Sequence, residues 1–116
     1  MALIDLAMRQ AQRSQCRYKV GAVLVAGKRV LAAAPNIRRN SPLIDFRNAT
    51  FHAEEATLRR AHRATGAVIY VARVNASGVP LLARPCPRCQ EALAAAGVTK
   101  AYYTAGPAAV DELCIL

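Results

Sequence analysis

No apolar run in this 116-residue chain approaches the roughly 18 residues that a membrane-spanning helix requires, so no membrane association is expected. The N-terminal stretch Met1-Ala2-Leu3-Ile4-Asp5 has no basic region ahead of an apolar one, so a secretory signal is not expected either. The expected setting is therefore cytoplasmic, where free thiols survive and a metal can compete for them. Acidic residues are scarce, seven against 16 lysines and arginines, leaving a net charge of +9. A surface of that sign draws in polyanions or phosphorylated molecules, although an arginine-rich composition alone produces the same excess. Internal repeats and low-complexity tracts are missing as well. With 54% hydrophobic residues the chain is not disordered overall, and it is expected to form one domain over residues 1–116.

What is present is a spacing. His52-Ala53-Glu54 is followed, thirty-one residues after Glu54, by Pro85-Cys86-Pro87-Arg88-Cys89. One imidazole and two thiols make three metal ligands, and three protein ligands leave the fourth tetrahedral position of a catalytic zinc open to water. Zinc lowers the pKa of such a water toward neutrality, and a carboxylate that does not bind the metal can move its proton. Blander readings exist, because a C-x-x-C pair alone also occurs in structural zinc sites and redox disulfides. A structural site needs a fourth ligand. His62 would lie ten residues along the same expected helix, about 15 Å from His52 at 1.5 Å per residue. Cys16 and Cys114 have no ligand-like spacing and are expected to be free thiols. A redox motif would follow a first strand closely, without an upstream H-x-E. The catalytic reading is preferred.

Taken in order, residues 2–15 have the period of an amphipathic helix, with Asp5 and Arg9 one turn apart and Arg13 and Arg17 on a solvated face. Residues 20–26 and 29–34 are apolar runs separated by Gly27-Lys28, the pattern of an antiparallel hairpin. Pro35 ends the second run, and residues 35–51, carrying Asn36, Arg38, Arg39, Arg47 and Asn48, read as a long loop of the sort that often serves function. A helix is expected over 51–64, capped by Thr50 or Asn48 and ending before Gly66. Residues 67–74 form an apolar strand and 75–78 a turn. Pro85 then opens a helix in which Cys86 and Cys89 share a face, stopped by Gly97. Residues 100–104 read as a strand and 107–113 as a short helix. This order predicts a mixed sheet with helices on both faces and a right-handed parallel crossover through the cysteine helix. Both ligand segments would sit at helix N-termini, which favours thiolates.

With these residues in place the chain resembles the cytidine/deoxycytidylate deaminase superfamily over almost its full length. The stretches that carry the likeness are Tyr18-Lys19-Val20-Gly21-Ala22-Val23-Leu24-Val25, His52-Ala53-Glu54-Glu55-Ala56 and Pro85-Cys86-Pro87-Arg88-Cys89. It is most similar to compact bacterial or phage-type members. The resemblance implies an α/β fold of three layers, α/β/α, with a mixed central sheet of four to five strands. It implies that His52, Cys86 and Cys89 bind Zn2+ and that Glu54 shuttles protons. It also implies that Asn36 contacts the substrate sugar and that the Ala53 backbone amide helps hold the base. Helical spacing taken alone would nominate Glu55, three residues from His52, in place of Glu54. Arg84 departs from many relatives, which carry an acidic or small hydroxyl residue before the Pro-Cys pair.

The implied reaction is hydrolytic: water adds at C4 of cytosine, Glu54 protonates N3 and then the departing amino group, and ammonia leaves uracil behind. The leading expectation for substrate is single-stranded DNA or another polynucleotide, supported by the charge of +9, by Arg38, Arg39 and Arg47, and by Tyr102-Tyr103. In that reading Arg38 and Arg39 meet phosphates and Tyr103 stacks on a base, although a strand tyrosine is more often a core residue. The second expectation is a free nucleotide, as in a deoxycytidylate or cytidine deaminase. A non-catalytic zinc-bearing nucleic-acid-binding subunit is the third, and the retained Glu54 speaks against it. Adenine is open to the same chemistry at its C6.

Overall fold

Residues 2–38 and 50–116 are described by the computed structural model, with side chains for all of these but Ala2, Arg38, Thr50 and Phe51. Most of the expected loop between Pro35 and Phe51 lies outside the described residues, and Arg39, Arg47 and Asn48 with it. None of the described helices is long and apolar enough to cross a membrane.

Alternation along the strands sorts the core into two layers. In β1 (Lys19–Ala26), Ala22 and Leu24 enter one apolar cluster while Val23 and Val25 enter another. In β5 (Val68–Val74), Ile69 and Val71 join the first cluster, Tyr70 and Ala72 the second. Ile4 and Ala7 of α1 (Ala2–Gln12) fill the second cluster. Ala53 of α2 (Ala53–Arg60) and Leu93 of α3 (Pro87–Ala95) fill the first. One helix therefore covers one face of the sheet and two cover the other, the three layers that the sequence implied.

β1 pairs antiparallel with both β2 (Arg29–Pro35) and β5, and β5 pairs parallel with β7 (Lys100–Gly106), as the crossover through α3 requires. The strand order is β2-β1-β5-β7-β8, the last strand being Ala109–Cys114, with the short β6 (Pro80–Leu81) paired to the end of β5. Five strands thus lie along the sheet and β6 makes a sixth. Since β2 and β5 both run against β1, they run the same way and deliver the chain to the same edge of the sheet. Whatever follows either strand starts from that edge.

Four local expectations need correcting. α1 stops at Gln12 because the Ser14 hydroxyl accepts the Cys16 amide at 3.1 Å, a local side-chain bond that competes with the helix. α2 ends at Arg60, with Ala61 in extended conformation, since Ala64 and Ala67 must turn back into the core. Gly66, at φ +76°, serves that turn instead of capping the helix. α3 begins at Pro87, with Cys86 as the cap in front of it. Residues 109–114 are a strand, β8 (Ala109–Cys114), and not a helix. Pro107 and Ala108 turn the chain back, and pairing with the open edge of β7 outweighs the helical preference of Glu112 and Leu113.

α1 rests on the sheet at Gly21. A Cβ there would come within 2.3 Å of the Ala7 carbonyl oxygen and the Ala11 nitrogen, both backbone atoms that cannot swing aside. Gly21→Ala is therefore expected to destabilise the fold by about 3 kcal/mol or more, the upper end of overpacking costs. Urea unfolding checks this, and an unmoved midpoint would show that α1 does not sit on β1.

Candidate active site

Asn36 directly follows β2, and the chain then forms β3 (Ile37–Arg38), which pairs antiparallel with β4 (Thr50–Phe51). That pair brings the returning chain back beside Asn36, with His52 next in line. His52 is the residue in front of α2, extended at φ −63° and ψ 149°. His52 itself holds the cap position that was expected of Thr50 or Asn48; Thr50 belongs to β4, and Asn48 lies outside the described residues. On the other side of the crossover Cys86 holds the same place before α3, at φ −69° and ψ 164°, with Pro87 at the first helical position. Cys89 is fully buried in the first turn.

The two helix starts meet. The Nδ1 of His52 is 3.1 Å from the Cys89 sulfur and 3.6 Å from that of Cys86, and the three ligand atoms lie within 4.8 Å of one another. Bond lengths of 2.0–2.3 Å around a tetrahedral zinc put its ligand atoms roughly 3.5–3.8 Å apart, so the donor set and its spacing fit one such ion. Burial, and then the neighbouring Glu54 carboxylate, push the Cys89 thiol up, outweighing the lowering expected from the helix N-terminus. A coordinated divalent cation acts in the opposite sense and holds a thiol deprotonated.

Two adjacent carboxylates have different surroundings. Glu54 is 5% exposed, hydrogen-bonded to Cys89, and part of the wall of a cavity of about 500 Å³. Burial pushes its carboxyl up from the ordinary range, against the lowering effects of a backbone hydrogen bond and of Cys89. Glu55 accepts the His52 amide at 3.3 Å and the Arg88 guanidinium at 2.8 Å. Its own burial acts to raise it, but Arg88 and that amide outweigh burial and hold it below the usual range. Helical spacing misdirects here because His52 is not yet helical. From an extended cap, the next-but-one residue faces the cavity and the third closes back on the cap's amide.

Asn36 also lines the cavity, 7% exposed, with its amide oxygen accepting the Val20 N–H at 3.0 Å and its amide nitrogen donating to the Tyr18 carbonyl at 2.6 Å. One amide hydrogen is left for a ligand. Ala53 is in the wall too, and its N–H, in the first turn of α2, has no acceptor within the helix. Arg39 lies outside the described residues, as does the side chain of Arg38, so the structure neither joins them to the site nor separates them from it. Tyr103 is 3% exposed and sits in the core under α2 and α3, and its hydroxyl accepts Arg84 at 3.3 Å. Its ring has no face open to a base. Tyr102 points to the other face of the sheet and stacks on Tyr70, centroids 5.1 Å apart.

Arg17, Tyr18, Arg73 and Arg84 also reach the cavity, and sequence reasoning did not assign them there. Arg73 left a trace, a lone charge in the apolar run Val68-Ile69-Tyr70-Val71-Ala72-Arg73-Val74. Cys16 and Cys114 are free, one buried and one exposed.

A family model described as "Cytidine and deoxycytidylate deaminase zinc-binding region" matches residues 1–105. No curated protein matches the chain. Among solved structures, dCMP deaminase from the cyanophage S-TIM5 is 28% identical, with a TM-score of 0.67 over 88% of this chain and 79% of the other. A structure from a study of A-to-I editing by tRNA:A34 deaminases is 27% identical, at TM-score 0.58 over 88% and 73%. Cytidine deaminase from Burkholderia pseudomallei, 23% identical, shares the fold at TM-score 0.74 over 98% and 91%.

Purified protein is expected to carry one zinc per chain, and Cys86→Ala or Cys89→Ala to lose the metal together with fold stability. Metal emission analysis and thermal melting check both. Folded, active protein without zinc would remove these residues as ligands.

Proposed function

The chain belongs to the cytidine and deoxycytidylate deaminase family, and on that premise we propose that it converts cytosine to uracil by hydrolysis in the cavity beside His52, Cys86 and Cys89. The observation that carries this reading is the buried Glu54 carboxyl in the cavity wall, within hydrogen-bonding reach of Cys89. A zinc ion held by His52, Cys86 and Cys89 would supply a water of lowered pKa and a positive charge.

The chain's own residues do the rest. Glu54 takes a proton from water and gives it to N3 of the base, then carries the second proton to the leaving amino group, so that water and cytosine become uracil and ammonia. A carboxyl raised by burial suits that work, since it must hold a proton and release it in turn. The Ala53 N–H donates to the base, and the remaining amide hydrogen of Asn36 meets the sugar. Cys86 and Cys89 bind metal only when reduced, which fits a cytoplasmic setting.

Two substrate classes remain. A free cytosine nucleotide is favoured by the cavity, whose volume lies within the range of small-molecule sites. The cyanophage enzyme also has a structure in complex with dCMP and dUMP, at 26% identity. Single-stranded DNA is the second reading. The net charge of +9 and the arginines of the 35–51 segment support it, but the buried Tyr103 does not. A purely structural role leaves a buried carboxyl at the cavity without a purpose.

Glu54→Gln is expected to keep zinc and fold while slowing uracil formation by about 10²–10⁴-fold, the usual worth of a positioned acid–base group. Glu55→Ala should retain most of the activity. Incubation with dCMP, cytidine and cytosine-containing oligonucleotides, with uracil as the readout, tests all of this. A dead Glu55 variant beside an active Glu54 variant would reverse the assignment.

A further inference from the structure

Three arginines far apart in the chain converge on the cavity that holds Glu54: Arg17 after α1, Arg73 near the end of β5, and Arg84 on the approach to α3. Tyr18 lies between two of them. The Arg73 guanidinium carbon is 4.9 Å from the centre of its ring and that of Arg17 is 5.7 Å away, distances at which a ring holds a cation over its face. Arg84 is steadied from beneath by the Tyr103 hydroxyl.

None of the three has a carboxylate partner among the described residues, whose ion pairs are Arg88–Glu55 and Lys100–Glu112. Among the described residues, the only acid in the cavity wall is Glu54. The Nε of Arg73 is buried and has no acceptor among the described residues. A buried donor without an acceptor and three like charges in one cleft are both unfavourable, and a bound anion relieves both at once. Guanidinium forks match phosphate oxygens in pairs, which a single lysine charge does not.

We propose that Arg17, Arg73 and Arg84, set by Tyr18, bind the terminal phosphate of a cytosine mononucleotide whose base lies against Glu54. This rests on the deaminase reading and deepens it. A monoester dianion answers three guanidiniums better than the single charge of an internal phosphodiester.

The test compares kcat/KM for dCMP and deoxycytidine in zinc-loaded wild type, Arg73→Met, Arg73→Lys and Arg17→Ala. Wild type is expected to prefer the nucleotide by roughly a hundredfold or more, and Arg73→Met to cut that ratio about tenfold to a hundredfold, the worth of a charge-assisted hydrogen bond. Arg73→Lys should recover part of the ratio. If Arg73→Met does not fold, Arg17→Ala, at an exposed position, carries the comparison. A wild-type ratio near one, a ratio that neither variant moves, or an oligonucleotide with internal cytosine outrunning dCMP would overturn the proposal. If no cytosine substrate is turned over, the deaminase reading has failed, and calorimetry with dUMP and deoxyuridine decides the phosphate site. Tighter binding of dUMP that Arg17→Ala abolishes sustains it, and equal binding overturns it.

Discussion

The meeting of two helix starts is the constraint on which the site depends. α2 and α3 lie on the same face of the sheet and begin at the same edge, because β2 and β5 run in the same direction. Ala53 and Leu93 share one apolar cluster, which sets the helices against the sheet. The Glu55 carboxylate then ties the two starts together by accepting the His52 amide and the Arg88 guanidinium. Arg88 stands between Cys86 and Cys89, so this one carboxylate links the imidazole ligand to the thiol pair. As an exposed ion pair it adds little stability by itself, and what it contributes is register between the ligands.

The same edge gathers groups of opposing charge. The Cys89 thiol and the Glu54 carboxyl crowd together where burial works against their ionised forms and pushes both up. A divalent cation answers that crowding with charge and fixes the thiolates. Arg17, Arg73 and Arg84 line the same cavity.

Much of this was legible beforehand wherever the chemistry is local. Alternating apolar residues and the Gly27-Lys28 turn marked the first hairpin, and Gly27 does take φ +61°. The H-x-E and P-C-x-x-C spacings marked the ligand segments. Helix ends were less legible, because the Ser14 hydroxyl and the inward turn at Ala64 act through partners brought near only by folding. β8 was missed because an exposed edge strand carries little period of its own and is held by the strand beside it.

Residue order alone therefore decided which side chains were available: a zinc-type donor set, a neighbouring carboxylate, and an apolar period that could close into an α/β/α sandwich. Those properties follow from covalent spacing, which survives into any fold the chain adopts. Only the tertiary structure decided direction. It aimed Glu54 into the cavity and Glu55 at Arg88, buried the Tyr103 ring, and drew Arg17, Arg73 and Arg84 to one mouth. Direction depends on where an extended cap becomes helix and on which strands share an edge. Neither is encoded in the spacing of any one segment.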